Sequence, residues 1–126
     1  MEADLVKIGN ELRLHISQCY GGSEHFYRNK YTGFVNTGGV EQLAYIAKAH
    51  WLVSDVGGVV MTLFKPPIEF QIWELAVGDD HSATLTCRVD RDAPTIYRQT
   101  YSFTTFPLGD WKFYVVDGVM MLESEY

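Results

Sequence analysis

The sequence predicts an α+β domain in which N-terminal helices pack on one face of an antiparallel meander sheet of about five strands. In the first half, apolar residues recur three and four positions apart, which is the spacing of amphipathic helices. From about residue 68 onward, apolar and polar residues alternate, as is typical of half-buried strands. The segment Lys65-Pro66-Pro67 separates the two regions, because proline cannot continue a helix. With 47% apolar residues and no linker, all 126 residues are predicted to form a single globular domain.

The first predicted helix spans residues 2–18, and the glycines Gly21 and Gly22 are expected to end it. Its core-facing side chains lie three and four residues apart: Leu5, Ile8, Leu12 and Ile16. Residues 23–28 and 34–35 are then predicted to be short extended segments that lead into the next helix.

A second helix, from about Val40 to Met61, is predicted to form the centre of the fold. Thr37 or Asn36 is placed to cap its first turn, and Trp51 is expected in the core. From residue 50 onward the apolar residues occur on every side of this helix. Such a pattern predicts a helix that the rest of the chain surrounds.

Asp55 interrupts this apolar run, and its role has two interpretations. It is either a buried carboxylate that acts as a base or anchors a ligand, or a capping residue. In the second case Ser54 and Asp55 cap a break in the helix, with Gly57 and Gly58 allowing a bend.

The second half of the chain predicts five strands joined by turns. The turns lie at residues 78–82, at residues 90–94 and at Asp117-Gly118, a strong two-residue hairpin signal. The strands are expected within residues 70–75, 83–89, 95–103, 112–116 and 119–122.

The net charge of −6 is carried entirely by the strand-forming half. Residues 1–65 hold six acidic and six basic residues, whereas residues 66–126 hold ten acidic and four basic ones. This asymmetry disfavours direct binding to nucleic acid or to an anionic membrane, and it favours a protein partner with a basic surface or simple solubility. Six carboxylates in turns and at strand ends are expected to form the partner-binding surface: Glu69, Asp79, Asp80, Asp90, Asp92 and Asp110.

A pocket between the central helix and the sheet is the alternative site, with Tyr27, His50 and Asp55 as its polar lining. No histidine or cysteine has the spacing of a metal site, and no glycine-rich phosphate loop is present, so no metal or cofactor is predicted. No sequence motif assigns a catalytic residue. The two cysteines and the acidic first residues, which do not suit a signal peptide, predict a cytoplasmic protein.

Several segments of the sequence resemble a small family of uncharacterised bacterial proteins from phages, plasmids and other mobile elements. The resembling segments are residues 22–28, 39–44, 49–53, 70–73, 83–87, 106–108 and 117–126. The resemblance implies no activity and no catalytic residues, because the family has none assigned.

Two functional hypotheses follow. The first is a non-enzymatic protein of a phage or mobile element that binds and inhibits a host protein, such as an anti-CRISPR inhibitor of a nucleic-acid-binding complex. The second is a small enzyme or ligand-binding domain that uses the pocket. A homodimer is compatible with either hypothesis.

Overall fold

A computed structural model describes residues 2–19 and 25–126 of the chain and confirms the α+β class. Its helices are α1 (Glu2–Gln18), α2 (Gly38–Ala47) and α3 (His50–Thr62), followed near the end by a 3-10 turn (Glu123–Glu125). Its strands are β1 (Phe26–Arg28), β2 (Val35–Thr37), β3 (Phe70–Val77), β4 (Ala83–Arg88), β5 (Tyr97–Tyr101), β6 (Gly109–Val116) and β7 (Val119–Leu122). The predicted helix stop at Gly21 and Gly22 lies outside the described residues.

Within the described residues the sheet has seven strands, in the order β1-β2-β7-β6-β3-β4-β5, so the prediction of a five-stranded meander is wrong in detail. The short segments β1 and β2 join the sheet as a hairpin, and β2 pairs in parallel with β7, which makes the sheet mixed. β6 pairs with β3 rather than with β5. Only β3, β4 and β5 form a meander.

The segment 102–108 accounts for the position of β6, because it leads the chain past the β3–β4 turn. The amide of Thr104 donates to the carbonyl oxygen of His81 over 2.8 Å. Phe106 is buried, and its ring centroid lies 5.4 Å from that of Trp111. The Trp111 indole in turn donates to the carbonyl oxygen of Pro107 over 2.9 Å. These contacts bring the chain to the free side of β3, where β6 begins.

The predicted central helix is two helices, since the chain breaks between α2 and α3. Lys48 has a left-handed backbone conformation, with φ at 54°. The amide of Ala49 donates to the Ala44 carbonyl oxygen over 2.8 Å, and the amide of Lys48 donates to Tyr45 over 3.3 Å. This pair of bonds is the Schellman arrangement that ends many helices. At the other end of α2, Thr37 is the N-cap, as predicted, and accepts from the amide of Val40 over 3.2 Å.

No break occurs at Gly57 and Gly58, where the sequence suggested one, because α3 is continuous through both. Gly57 instead makes room for the ring of Phe34. A Cβ atom at position 57 would lie 2.7 Å from the Phe34 ring, whereas one at position 58 would meet no atom within 4 Å.

The core lies between the helices and one face of the sheet. Leu52 and Val56 of α3 belong to the same buried core cluster as Trp73 and Phe113 of the sheet. However, α3 is not surrounded on all sides as predicted. Its residues His50 and Ser54 are exposed, and Trp51 lies half-buried at the margin of the core.

Glu125 is a buried acidic residue that joins the sheet to α2. Its Oε1 atom accepts from the Thr37 hydroxyl over 2.7 Å and from the Leu122 amide over 2.9 Å. The neighbouring Ser124 hydroxyl donates to the carbonyl oxygen of Ile16 in α1 over 2.8 Å. The 3-10 turn therefore fixes the relative positions of β7, α1 and α2.

Candidate functional site

Two of the three predicted pocket residues lie in one groove between the β1–β2 hairpin and α3. Tyr27 of β1 and His50 of α3 both line it, and its volume is about 260 Å³. We call it the hairpin groove. Its other lining residues are Arg28, Asn29, Thr32, Phe34, Asn36, Glu41, Val53, Ser54 and Gly57.

A chain of polar side chains crosses this groove. Glu41 lies in the first turn of α2, and its Oε2 atom is 2.9 Å from Nε2 of His50. Its Oε1 atom accepts from the Asn36 amide group over 3.3 Å, and Asn36 also donates to the Thr37 carbonyl oxygen over 3.0 Å. Asn36 is buried, so it supports Glu41, which orients His50 at the open side. Such an arrangement presents hydrogen-bonding groups to a ligand or to a partner's side chain.

Asp55 does not line the hairpin groove, and it does not cap a break in the helix, because α3 is continuous through it. Its Oδ2 atom accepts from the Tyr101 hydroxyl over 2.7 Å, which ties α3 to β5. Burial and this hydrogen bond raise the pKa of Tyr101 well above its usual value. The Tyr101 ring also meets Trp51 edge to face, with centroids 5.1 Å apart. Asp55 therefore joins a helix to an edge strand and caps no helix.

The six predicted partner-binding acids are all exposed, but the sheet divides them between its two ends. One group lies in the β3–β4 turn and at the start of β6, because Asp110 pairs with Ala76 near the end of β3: Asp79, Asp80 and Asp110. We call it the α1-side acidic group. The other lies at the start of β3 and in the β4–β5 turn, and we call it the opposite acidic group: Glu69, Asp90 and Asp92. The eight residues of β3 separate the two groups by about 23 Å.

The α1-side acidic group borders a second groove, which we call the α1 groove. It has a volume of about 220 Å³, and α1 and the β3–β4 turn form its walls. Val6 and Leu108 line it and are both more than half exposed, and Asp79 lies on its wall. Arg13, also on this wall, packs on the Trp111 ring at 4.7 Å.

The β3–β4 turn, which carries Asp79 and Asp80, is held in one conformation by its own hydrogen bonds. Oδ1 of Asp80 accepts from the Ser82 hydroxyl over 2.7 Å and from the Ser82 amide over 3.0 Å. These bonds hold the pKa of Asp80 below its usual value. The carboxylate is therefore charged and fixed in position before any partner arrives.

Neither thiol of the chain is poised for nucleophilic chemistry. Burial and the nearby Glu125 raise the pKa of Cys19, whose Sγ atom lies 3.7 Å from the ring nitrogens of His15. Burial raises the pKa of Cys87 to about 12, against the opposing effect of Arg88. A thiol with a raised pKa stays protonated at neutral pH and is a poor nucleophile.

Within residues 2–19 and 25–126, no three His, Cys, Asp or Glu side chains form a group that fits a metal ion. No helix of this part of the chain combines the length and the apolar character needed to cross a membrane.

The model of a family of unknown function, DUF6876, matches residues 11–126. The chain belongs to this family. The matched range covers both grooves except Leu5, Val6, Gly9 and Asn10 of the α1 groove. No curated protein and no solved structure matches the chain. Membership of DUF6876 therefore agrees with the resemblance to an uncharacterised family and assigns no chemistry to either groove.

Nine of the eleven residues that line the hairpin groove of this DUF6876 chain were not predicted as pocket residues, among them Arg28, Asn36 and Glu41. The sequence indicates Asn36 only as a possible helix cap, and it assigns no role to Glu41. An acidic residue in the first turn of a helix is common for reasons of stability, so Glu41 gave no signal of a site.

Proposed function

We propose that the protein is encoded by a phage or another mobile element and binds and inhibits a host protein without catalysing a reaction. The observation that supports this best is the α1-side acidic group beside the exposed apolar side chains of the α1 groove. Val6 and Leu108 offer apolar contact area, and Asp79 lies on the wall of the same groove, with Asp80 next to it in the turn and Asp110 at the same end of the sheet. An apolar centre with a charged rim is the usual anatomy of a protein interface.

The partner in this proposal is a host protein with a basic surface, such as the nucleic-acid-binding groove of a defence complex. Fixed carboxylates attract such a surface over distances comparable to the screening length, which is about 10 Å at 0.1 M salt. The two acidic groups are farther apart than this length, so the α1-side acidic group acts independently of the other. An inhibitor that occupies the basic groove excludes nucleic acid from it, as an anti-CRISPR protein does.

The test compares two charge-reversed variants that alter net charge equally. The host partner is first captured by the unaltered protein at low salt, and its association rate is then measured with each variant. We expect Asp79→Lys, Asp80→Lys and Asp110→Lys together to slow association about tenfold or more. The matched control is Glu69→Lys, Asp90→Lys and Asp92→Lys together. Equal slowing by the two variants, or association that is insensitive to salt, contradicts the proposal.

A second candidate function is ligand binding in the hairpin groove, as a small enzyme or a binding domain. It rests on the contact of His50 with Glu41 and on the position of Tyr27 in the same groove. A screen for compounds that raise the melting temperature tests it. Compounds that bind the groove lose their effect on His50→Ala but keep it on Tyr45→Ala, an exposed position that does not line the groove. Compounds that stabilise both variants equally bind elsewhere and argue against the groove.

A further inference from the structure

The β1–β2 hairpin is the most exposed part of the sheet. Residues 25–32 are eight consecutive exposed residues, and three of them are large aromatics. Phe26 is 58% exposed, Tyr27 48% and Tyr31 85%. Aromatic side chains dominate the energetics of protein interfaces, so their exposure here indicates a contact surface.

The hairpin is well ordered by its own hydrogen bonds. Oδ1 of Asn29 accepts from the amides of Tyr31 and Thr32, at 2.8 Å and 3.0 Å. The Arg28 guanidinium donates to the carbonyl oxygen of Gly33 over 3.1 Å. A surface that is already ordered loses less conformational entropy when a partner binds.

Among residues 2–19 and 25–126, no strand pairs with the outer edge of β1, which we call its free edge, and the pairing pattern shows which residues face it. The amide of Gly38 donates to His25, and the amide of Asn29 donates to the carbonyl oxygen of Phe34. In an antiparallel ladder, hydrogen-bonded pairs alternate with non-bonded pairs. The backbone groups at positions 25, 27 and 29 therefore face β2. Those of Phe26 and Arg28 face away from β2, toward solvent.

The hairpin groove lies directly beside this free edge. Tyr27 is paired with Asn36, and both line the groove together with Glu41 and His50. Side chains of a strand alternate between the two faces of a sheet. A strand added along β1 therefore places every second side chain on the groove side, next to Tyr27.

The charge of the hairpin is opposite to that of the rest of the protein. Residues 25–37 contain Arg28 and Lys30 but no acidic residue, in a chain with a net charge of −6. Lys30 also lies 5.2 Å from the centre of the Tyr31 ring, so positive charge accompanies the most exposed aromatic residue. This complementarity favours an acidic occupant.

We propose that the free edge of β1 binds an extended acidic segment of a partner protein by strand addition, with alternate side chains entering the hairpin groove. The backbone groups of Phe26 and Arg28 supply the hydrogen bonds, and Arg28 and Lys30 supply the preference for negative charge. This mode of recognition combines main-chain bonds with pockets for side chains. The inference names a ligand class for the hairpin groove and does not depend on the α1-side acidic group.

Two other occupants fit less well. A second copy of the chain would place two positively charged hairpins beside each other, which costs energy. Single-stranded nucleic acid suits exposed aromatics and cations, but it does not use the edge of a sheet, and the net charge of the protein repels it.

The test measures water-exchange rates of single amides by NMR in the full-length protein. The probe is the heptapeptide TEVEVET, with TKVKVKT as its charge-reversed control. With TEVEVET, we expect the Phe26 and Arg28 amides to exchange about tenfold more slowly and the already bonded Tyr27 amide to stay unchanged. TKVKVKT is expected to have no effect. Protection without this alternation, equal protection by both peptides, or no protection contradicts strand addition.

Variants separate backbone from side-chain contributions. Phe26→Pro removes an outward N–H that β2 does not use, and we expect it to abolish binding of TEVEVET, whereas Phe26→Ala keeps the donor and retains binding. Arg28→Glu is expected to weaken binding about tenfold, and Arg91→Glu, an exposed change in the β4–β5 turn, to leave it unchanged. In the variants without peptide, unaltered exchange rates of the Tyr27 and Asn36 amides verify that the hairpin is intact.

Further measurements test whether nucleic acid or a second copy of the chain binds the edge instead. Protection by the oligonucleotide dT12 at the concentrations that suffice for TEVEVET favours nucleic acid and overturns the proposal. Protection that rises with protein concentration alone, together with a dimer mass, favours a second copy and also overturns it. Reversal of the α1-side acidic group to lysine is expected to leave TEVEVET binding unchanged, so failure here is distinct from failure of the inhibitor proposal. His50→Ala alters the groove but not the edge of β1. Alternating amide protection that persists in this variant shows that the edge still binds the peptide without the His50 side chain.

Discussion

Replacing Glu125 tests whether one buried carboxylate fixes α2 against the sheet. The Glu125→Ala change removes the acceptor for the Thr37 hydroxyl and for the Leu122 amide, both of which are buried. Leaving a buried donor without a partner costs about 1–3 kcal/mol. The hydroxyl rotates to relieve part of its loss, so we expect the free energy of unfolding to fall by about 3 kcal/mol in total.

The isosteric change Glu125→Gln separates the acceptor from the charge. The amide oxygen of glutamine still accepts both hydrogen bonds, but the negative charge at the first turn of α2 is lost. Such a charge at a helix N-terminus contributes about 0.3–1 kcal/mol, and charge-assisted bonds add to it, so a loss of about 1 kcal/mol is expected.

Glu123 provides the matched control two residues away. It is exposed, and it makes one ion pair with Lys112 at 3.4 Å, so Glu123→Ala should cost less than about 1 kcal/mol. Urea unfolding followed by circular dichroism measures all three variants at one pH. A loss below about 1 kcal/mol for Glu125→Ala refutes the anchoring role. Equal losses for Glu125→Ala and Glu125→Gln would show that charge, rather than the acceptor, stabilises the contact.

Three further predictions concern stability. Gly57→Ala should destabilise the protein by about 1–3 kcal/mol because of the Phe34 ring, whereas Gly58→Ala should stabilise it by about 0.5–1 kcal/mol; equal effects in thermal unfolding contradict the packing described for α3. Tyr101→Phe should cost about 1–2 kcal/mol by removing the donor to Asp55, and Asp55→Asn, which keeps an acceptor, should cost less; the reverse order in urea unfolding contradicts this role. The pKa of Cys87 is raised from 9.0 to about 12, so the unfolded chain loses the thiol proton at a lower pH than the folded protein does. The free energy of unfolding is therefore unaffected below pH 9 and falls as the pH rises toward 12, by at most about 4 kcal/mol. Cys87→Ala should therefore show a shallower loss of stability between these pH values than the unaltered protein, and parallel curves contradict the assignment.

The strands of the second half were predictable because their signals are local. Residues 83–88 alternate in burial as they alternate in sequence, and Asp117 and Gly118 both have positive φ, as a two-residue hairpin turn requires. The pairing of β6 with β3 was not predictable, because it depends on how the segment 102–108 packs against the β3–β4 turn. β1 and β2 have three residues each, too few to show an alternating pattern.

The exposure of the six acids was predictable for the same reason, since turns and strand ends lie at the surface. Their division into two groups was not. Asp79 and Asp110 lie at the same end of the sheet because β6 runs antiparallel to β3. Asp90 lies at the opposite end because β4 also runs antiparallel to β3. Positions along the sequence contain no information about these pairings, so the division could not be predicted.

The hairpin groove depends on a helix break for which the sequence has no signal. In one continuous helix, Glu41 and His50 would be nine residues apart, which places them about 13.5 Å apart along the axis and on opposite faces. The break at Lys48 instead brings their side chains to 2.9 Å. Helices usually end this way at glycine, and a lysine in the left-handed conformation costs about 1 kcal/mol more. The Schellman bonds and the core packing of α3 offset this cost. The helix end at Lys48, which no glycine marks in the sequence, therefore brings Glu41 into contact with His50.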